Sequence, residues 1–170
     1  MGRKCTALID QSVKISDTAQ DTVIAYSAEE DNIRNKKAII LPSYHKKRLV
    51  RKCISIYDHK KGAYFSIFGN AIYMLIREPI AQNEFKRVII DREYSGNNDK
   101  IKTHIKNALL NQSGFSPNKI PTITFDEIHN YQDPLEPHEY ANRVRTGKDS
   151  PDIDKPLKEW EKVVLPSKYH

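Results

Sequence analysis

The chain reads as an α/β domain built on a mixed five-stranded sheet. Three observations carry that expectation. Three β-type runs open the sequence as an apparent antiparallel meander. Two more apolar runs follow, each preceded by a stretch in which apolar residues recur at three- and four-residue steps. Acids stand at the carboxyl ends of the first, fourth and fifth runs, as Asp10, Asp91 and Asp126.

Thr6–Asp10 is the first expected strand, followed by a polar, turn-like stretch over 16–21. Thr22–Tyr26 is the second, paired to the first as a hairpin. Ser27–Asn35, acidic and then basic, reads as a loop, and Lys37–Leu41 as a third strand stopped by Pro42. From Ser43 the period changes. Leu49, Val50, Cys53, Ile54 and Tyr57 predict a helix, Gly62 interrupts it, and Phe65, Phe68, Ile72, Leu75 and Ile76 continue helically up to Pro79. The aromatic residues of this second half, Tyr64, Phe65, Phe68 and Tyr73, could stack nucleobases, but a core role fits such a thoroughly apolar helix better.

A fourth strand is expected over 87–94, a helix over 100–112 closed by Gly114, and a fifth strand over Pro121–Asp126. Asp133–Pro137 reads as a turn, and His138–Arg145 as a helix closed by Gly147, with Pro137 suited to its first position. The body therefore spans residues 1–148. Residues 149–170 form a Pro- and Asp-rich tail with a short helix around 157–162, which Trp160 docks on the body. Helical crossovers after the third and fourth strands require the strands they join to run parallel.

Composition narrows the function classes. The 170 residues suit one domain with a real core, and a mean hydropathy of −0.68 describes a soluble protein with a charged surface. No apolar run is long enough to span a bilayer, and Met1–Cys5 lacks a signal-peptide core, so no membrane partner and a cytoplasmic location are expected. Met1-Gly2 supports myristoylation only weakly. Cys5 and Cys53 form neither a zinc knuckle nor a disulfide scaffold. The 6 glycines and the lack of a glycine-rich phosphate loop argue against a P-loop or dinucleotide site. There is no Gly-x-Ser-x-Gly elbow and no HExxH. The net charge of +6 and pI near 9.2 fit a nucleic-acid partner. The charge is concentrated in His45–Lys52, where Leu49-Val50 implies an amphipathic helix with one basic side. Lys47, Arg48, Arg51 and Lys52 are thus the candidate phosphate-binding residues, expected near one rim of the acidic site, although such blocks are also common as solvated helix faces.

The densest candidate chemistry lies in Lys86–Ser95. Val88-Ile89-Ile90 suits a strand covered on both faces, and Asp91 interrupts it at its carboxyl end. Strand side chains alternate, so Asp91 and Glu93 are expected to point the same way, about 7 Å apart. Open α/β sheets place ligands at that end of their strands. The competing reading is an edge strand that ends in solvated charges.

This element order resembles the ribonuclease H-like fold over roughly residues 4–148. Leu8-Ile-Asp-Gln-Ser12 is similar to the first strand of RuvC-like and ribonuclease HII-like members, and Ile89-Ile-Asp-Arg-Glu93 to their fourth-strand acidic site. His138-Glu-Tyr-Ala-Asn142 falls where their last acidic or histidine ligand sits. The resemblance implies a metal-dependent nuclease that holds two Mg²⁺ or Mn²⁺ ions and cleaves phosphodiesters. It implies Asp10, Asp91, Glu93 and His138 as catalytic groups and metal ligands, with Glu139 as a further ligand. It also places Asp10 and Asp91 on adjacent central strands. Such chemistry needs hard oxygen donors from distant parts of the chain, gathered around ions about 4 Å apart. The sequence departs from the pattern at Asn142, where an aspartate would be expected, and Glu139 points about 100° away from His138 around the helix. Asp126 and Glu127 read more readily as loop-start or capping acids. The alternative is a non-catalytic nucleic-acid-binding or assembly domain of the same fold. DNA versus RNA, and oligomeric state, stay open.

Overall fold

The computed structural model describes residues 5–30, 33–131 and 137–169, and the expected turn at 133–137 lies almost wholly outside them. The strands are β1 (Cys5–Gln11), β2 (Thr22–Glu30), β3 (Ile33–Leu41), β4 (Phe85–Asp91), β5 (Thr122–Asp126) and β6 (Ile153–Asp154). The helices are α1 (Ser43–Tyr57), α2 (Lys60–Ala81), α3 (Asn98–Asn111), α4 (Pro137–Arg145) and α5 (Leu157–Val164). The strands form one mixed sheet in the order β5-β4-β1-β2-β3-β6. β1 lies between its antiparallel hairpin partner β2 and the parallel β4, with Ile9 opposite both Tyr26 and Ile90. β4 and β5 are also parallel, and their register sets Asp91 beside Asp126.

Period-two alternation divides the sheet into two faces. Ala7, Ile9, Ile24, Tyr26, Ile39, Val88 and Ile90 point into the main core with the apolar sides of α1, α2, α3 and α5. On the other face α4 lays Tyr140, Ala141 and Val144 over Val23, Ala25 and Ala38. Beside it, Ile128, in a 3-10 turn over Ile128–Asn130, covers Leu8 and Ile89. By the same alternation Asp10 and Asp91 follow Leu8 and Ile89 onto the α4 face, beyond the apolar patch.

Among the described residues six strands stand where five were expected. β6 is two residues in a Pro- and Asp-rich stretch, too short to show alternation. It is anchored to β3 by the Ala38 N–H, which donates to Asp152 Oδ2 at 2.8 Å, and by the Asp152 N–H, which donates to the Ala38 carbonyl at 3.0 Å. The β2–β3 hairpin is longer than expected, its ladder running on through Ala28↔Asn35 to Glu30↔Ile33. The helical stretch is two helices, but the break falls at Asp58-His59 instead of Gly62. Asp58 adopts φ 56°, and His59 caps the next helix by accepting the Gly62 N–H at Nδ1, 2.8 Å away. Pro79 does not end α2, since it lies in the last turn and costs a single hydrogen bond there. α2 crosses α3 closely at Gly69, where a Cβ would lie 2.7 Å from the His104 Cβ. The tail joins the body as expected, with Trp160 fully buried in the main core.

Candidate metal centre

Asp10, Asp91 and Glu93 converge at the carboxyl ends of β1 and β4. A carboxylate oxygen from each lies within 4.8 Å of one from each of the others, the only such group of potential metal ligands among the described residues. β4 ends at Asp91, so Glu93 does not reach the cluster by strand alternation. The chain turns instead, with the Glu93 N–H donating to the Asp91 carbonyl at 2.9 Å, and this turn swings the Glu93 carboxylate back.

Backbone donors hold two of the three acids. The Gln11 N–H donates to Asp10 Oδ1 at 2.6 Å, and the Ile128 N–H donates to Asp91 Oδ1 at 2.9 Å. Lys14 reaches Glu93, its Nζ lying 3.3 Å from Oε2. Asp10 is only 7% exposed. Burial pushes its carboxyl up to about 7, Asp91 and Glu93 add to the rise, and the Gln11 N–H and His138 oppose it.

His138 touches the cluster without belonging to the convergent group. Its Nδ1 lies 3.2 Å from Asp10 Oδ2 and 3.1 Å from the Gln11 carbonyl oxygen. A carbonyl can only accept, so this network places a proton on Nδ1. Glu139 is exposed on α4 and lines a shallow surface hollow with Asn142 and Arg143. Asp126 shares the cluster's sheet face, but its carboxylate accepts from the Tyr131 hydroxyl and the Glu127 N–H, both at 2.8 Å. Those two donors hold it below the usual carboxylate range.

The expected phosphate-binding helix lies elsewhere. α1 packs Leu49, Val50 and Cys53 into the core on the Ile9 side of the sheet, opposite the face that carries Asp10. Lys47, Arg48, Arg51 and Lys52 are exposed there, with Lys52 paired to Glu161 at 2.6 Å. Their helix packs on the sheet face opposite the one that carries Asp10, instead of beside the acids. A cation that reaches the cluster is Lys14, in the β1–β2 connection, whose sequence context carries no signal for the role. Its neighbour in the fold, Tyr94, follows Glu93 and accepts the Ile15 N–H at 3.1 Å, pinning the same connection beside the site.

The donor set suits a hard divalent cation. Three carboxylates supply oxygen ligands, and a bound cation would offset both the burial of the Asp10 carboxylate and its repulsion from Asp91 and Glu93. No helix among the described residues is long and apolar enough to cross a membrane. In comparisons with family models, curated proteins and solved structures, nothing matches this chain.

Proposed function

We propose that the chain is a divalent-metal-dependent nuclease that cleaves nucleic-acid phosphodiester bonds, with Mg²⁺ or Mn²⁺ held by Asp10, Asp91 and Glu93. The observation that carries the reading is the meeting, within 4.8 Å, of two carboxylates from adjacent parallel strands and a third from the turn that follows β4. The central position of β1 and the shared end of β1 and β4 agree with the ribonuclease H-like resemblance.

The bound cations would supply an activated water and charge neutralisation at the phosphate and the leaving oxygen. The protein's own part is positional. The Gln11 and Ile128 N–H groups each occupy one oxygen of Asp10 and Asp91, which aims the other oxygens. His138 Nδ1 steadies Asp10 Oδ2. Lys14 offsets part of the charge on Glu93. One observation favours a non-catalytic nucleic-acid-binding domain instead: among the described residues α4 adds no carboxylate to the convergent group, Glu139 lying outside it.

The experiment is a Mn²⁺ titration followed by thermal unfolding, paired with cleavage of end-labelled single-stranded, duplex and hybrid substrates. The nuclease reading expects a metal-dependent rise in Tm and metal-dependent cleavage, both lost in Asp91→Asn. Cleavage that survives Asp91→Asn rejects the site, a metal-induced shift without cleavage of any substrate rejects the nuclease, and the absence of both shift and cleavage selects the non-catalytic domain that has lost its metals.

A further inference from the structure

Next to the acidic cluster the surface carries a hollow of about 270 Å³, lined by Lys14, Lys61, Tyr64, Phe65 and Tyr94 among others. It opens where the β1–β2 connection, the first turn of α2 and the β4–α3 connection meet. The hollow and the cluster share a wall. Lys14 lines the hollow while its ammonium lies 3.3 Å from Glu93 Oε2, and Tyr94 directly follows Glu93.

The lining combines aromatic rings with a cationic rim. Tyr94 stacks edge-on against Phe65, with centroids 5.7 Å apart, forming a rigid apolar floor. Tyr64 is only half-buried, unlike Phe65, Phe68 and Tyr73 of the same helix, which are buried in the core. Lys61 and Lys14 are exposed at the rim, and Lys100 sits with Nζ 5.9 Å from the Phe65 ring centroid. An aromatic floor between ammonium groups complements a planar base carried on a negatively charged backbone. A base inside a duplex has both faces stacked and cannot offer one to a tyrosine unless it leaves the helix.

We infer that this hollow receives an unpaired nucleobase of the substrate strand, so that the neighbouring acidic site acts on single-stranded nucleic acid; the inference rests on the nuclease reading above. Tyr64 supplies the stacking face, and Lys61, Lys100 and Lys14 meet the flanking phosphates. Ring stacking reads no base edge, so the hollow tolerates any base.

The test is fluorescence anisotropy with fluorescein-labelled 12-nucleotide oligo(dT) and oligo(U), and with a duplex of equal length. It is run in EDTA so that neither metal nor cleavage enters. Both single strands should bind more tightly than the duplex. Tyr64→Ala should weaken single-strand binding by about 5- to 100-fold, with Tyr64→Phe close to wild type. Lys61→Gln, an exposed change that leaves folding intact, should flatten the salt dependence by about 0.7 log units per log unit of salt. Oligo(dT) against oligo(U) tells whether the strand is DNA or RNA. Equal binding of duplex and single strand, or wild-type affinity in a folded Tyr64→Ala, overturns the inference. Tyr64-dependent binding without Mn²⁺-dependent cleavage retains the hollow and rejects the nuclease. Cleavage with Tyr64-independent binding does the reverse.

Discussion

Replacing Asp10 by Asn should make the metal-free protein more stable at pH 8 and leave it nearly unchanged at pH 5. The carboxyl of Asp10 is raised from 3.8 to about 7 in the folded chain. A group whose folded pKa is raised favours the folded state fully below its unfolded pKa, and that contribution is lost as pH climbs through the folded value. The window therefore runs from about pH 4 to pH 7. A rise of about three units corresponds to a penalty on the order of 4 kcal/mol once the carboxylate is fully ionised. Asn keeps an oxygen to accept the Gln11 N–H, but it turns an amide donor toward His138 Nδ1–H and forfeits about 1–2 kcal/mol there. A net gain of about 2–3 kcal/mol at pH 8 should raise Tm by about 5–10 °C in a chain of this size. Calorimetry in EDTA at both pH values measures it, and Mn²⁺ should then stabilise the wild type far more than the variant. An Asp10→Asn protein that is less stable at pH 8, or that follows the wild-type pH profile, refutes the reading of Asp10 as a buried carboxylate whose ionisation costs stability.

Lys46 offers the mirror case. It is fully buried, its Nζ donates to Thr22 Oγ1 at 2.7 Å, and burial pulls its pKa down to about 8. A depressed lysine favours folding above its unfolded pKa and loses that contribution as pH falls through 8. Lys46→Met should therefore gain about 1–2 kcal/mol at pH 7, net of the lost hydrogen bond, and little at pH 10.5. Urea unfolding at the two pH values decides it, and a Met variant weaker at pH 7 contradicts the argument. Trp160→Ala should cost about 3–5 kcal/mol, because it empties a fully buried site where α5 meets the core, and denaturant midpoints report it. Gly69→Ala should cost about 1–3 kcal/mol, since its methyl would press on the His104 Cβ and the Ile101 carbonyl. An unaltered unfolding midpoint in that variant would mean that α2 and α3 separate freely.

The central strands were legible because their apolar runs are continuous. Ala7–Ile9 and Val88–Ile90 need cover on both sides, which puts β1 and β4 inside the sheet and their terminal acids side by side. The start of α4 was legible from Pro137. β6 was not, because two residues held by Asp152 have no period to detect. The kink at Asp58-His59 was hidden because a left-handed aspartate and a histidine cap replace the usual glycine. The misplaced basic rim has a different origin. Periodicity tells which side of α1 is apolar, but not which face of the sheet receives it. Both helical crossovers step the same way along the sheet, so a constant hand puts α1, α2 and α3 on one face, and Asp10, alternating with Ile9, faces the other. Tyr64 shows the limit of reading a helix as uniformly apolar: one turn nearer the end of α2 than Phe68, it stands at the mouth of the hollow instead of in the core.

The route of the chain after α4 makes its last stretch a fastening between the two layers. α4 covers one face of the sheet, β6 runs along the outer edge of β3, and α5 then lays Trp160 and Val164 into the opposite layer. Neither layer can swell away from the sheet without pulling on this segment, and a single cut near residue 150 would unfasten both. With β6 lifted, the Ile39 and Ile40 edge of β3 would present free backbone groups to any other strand. A cut in this stretch would therefore both loosen the seating of the final helix and bare a strand edge.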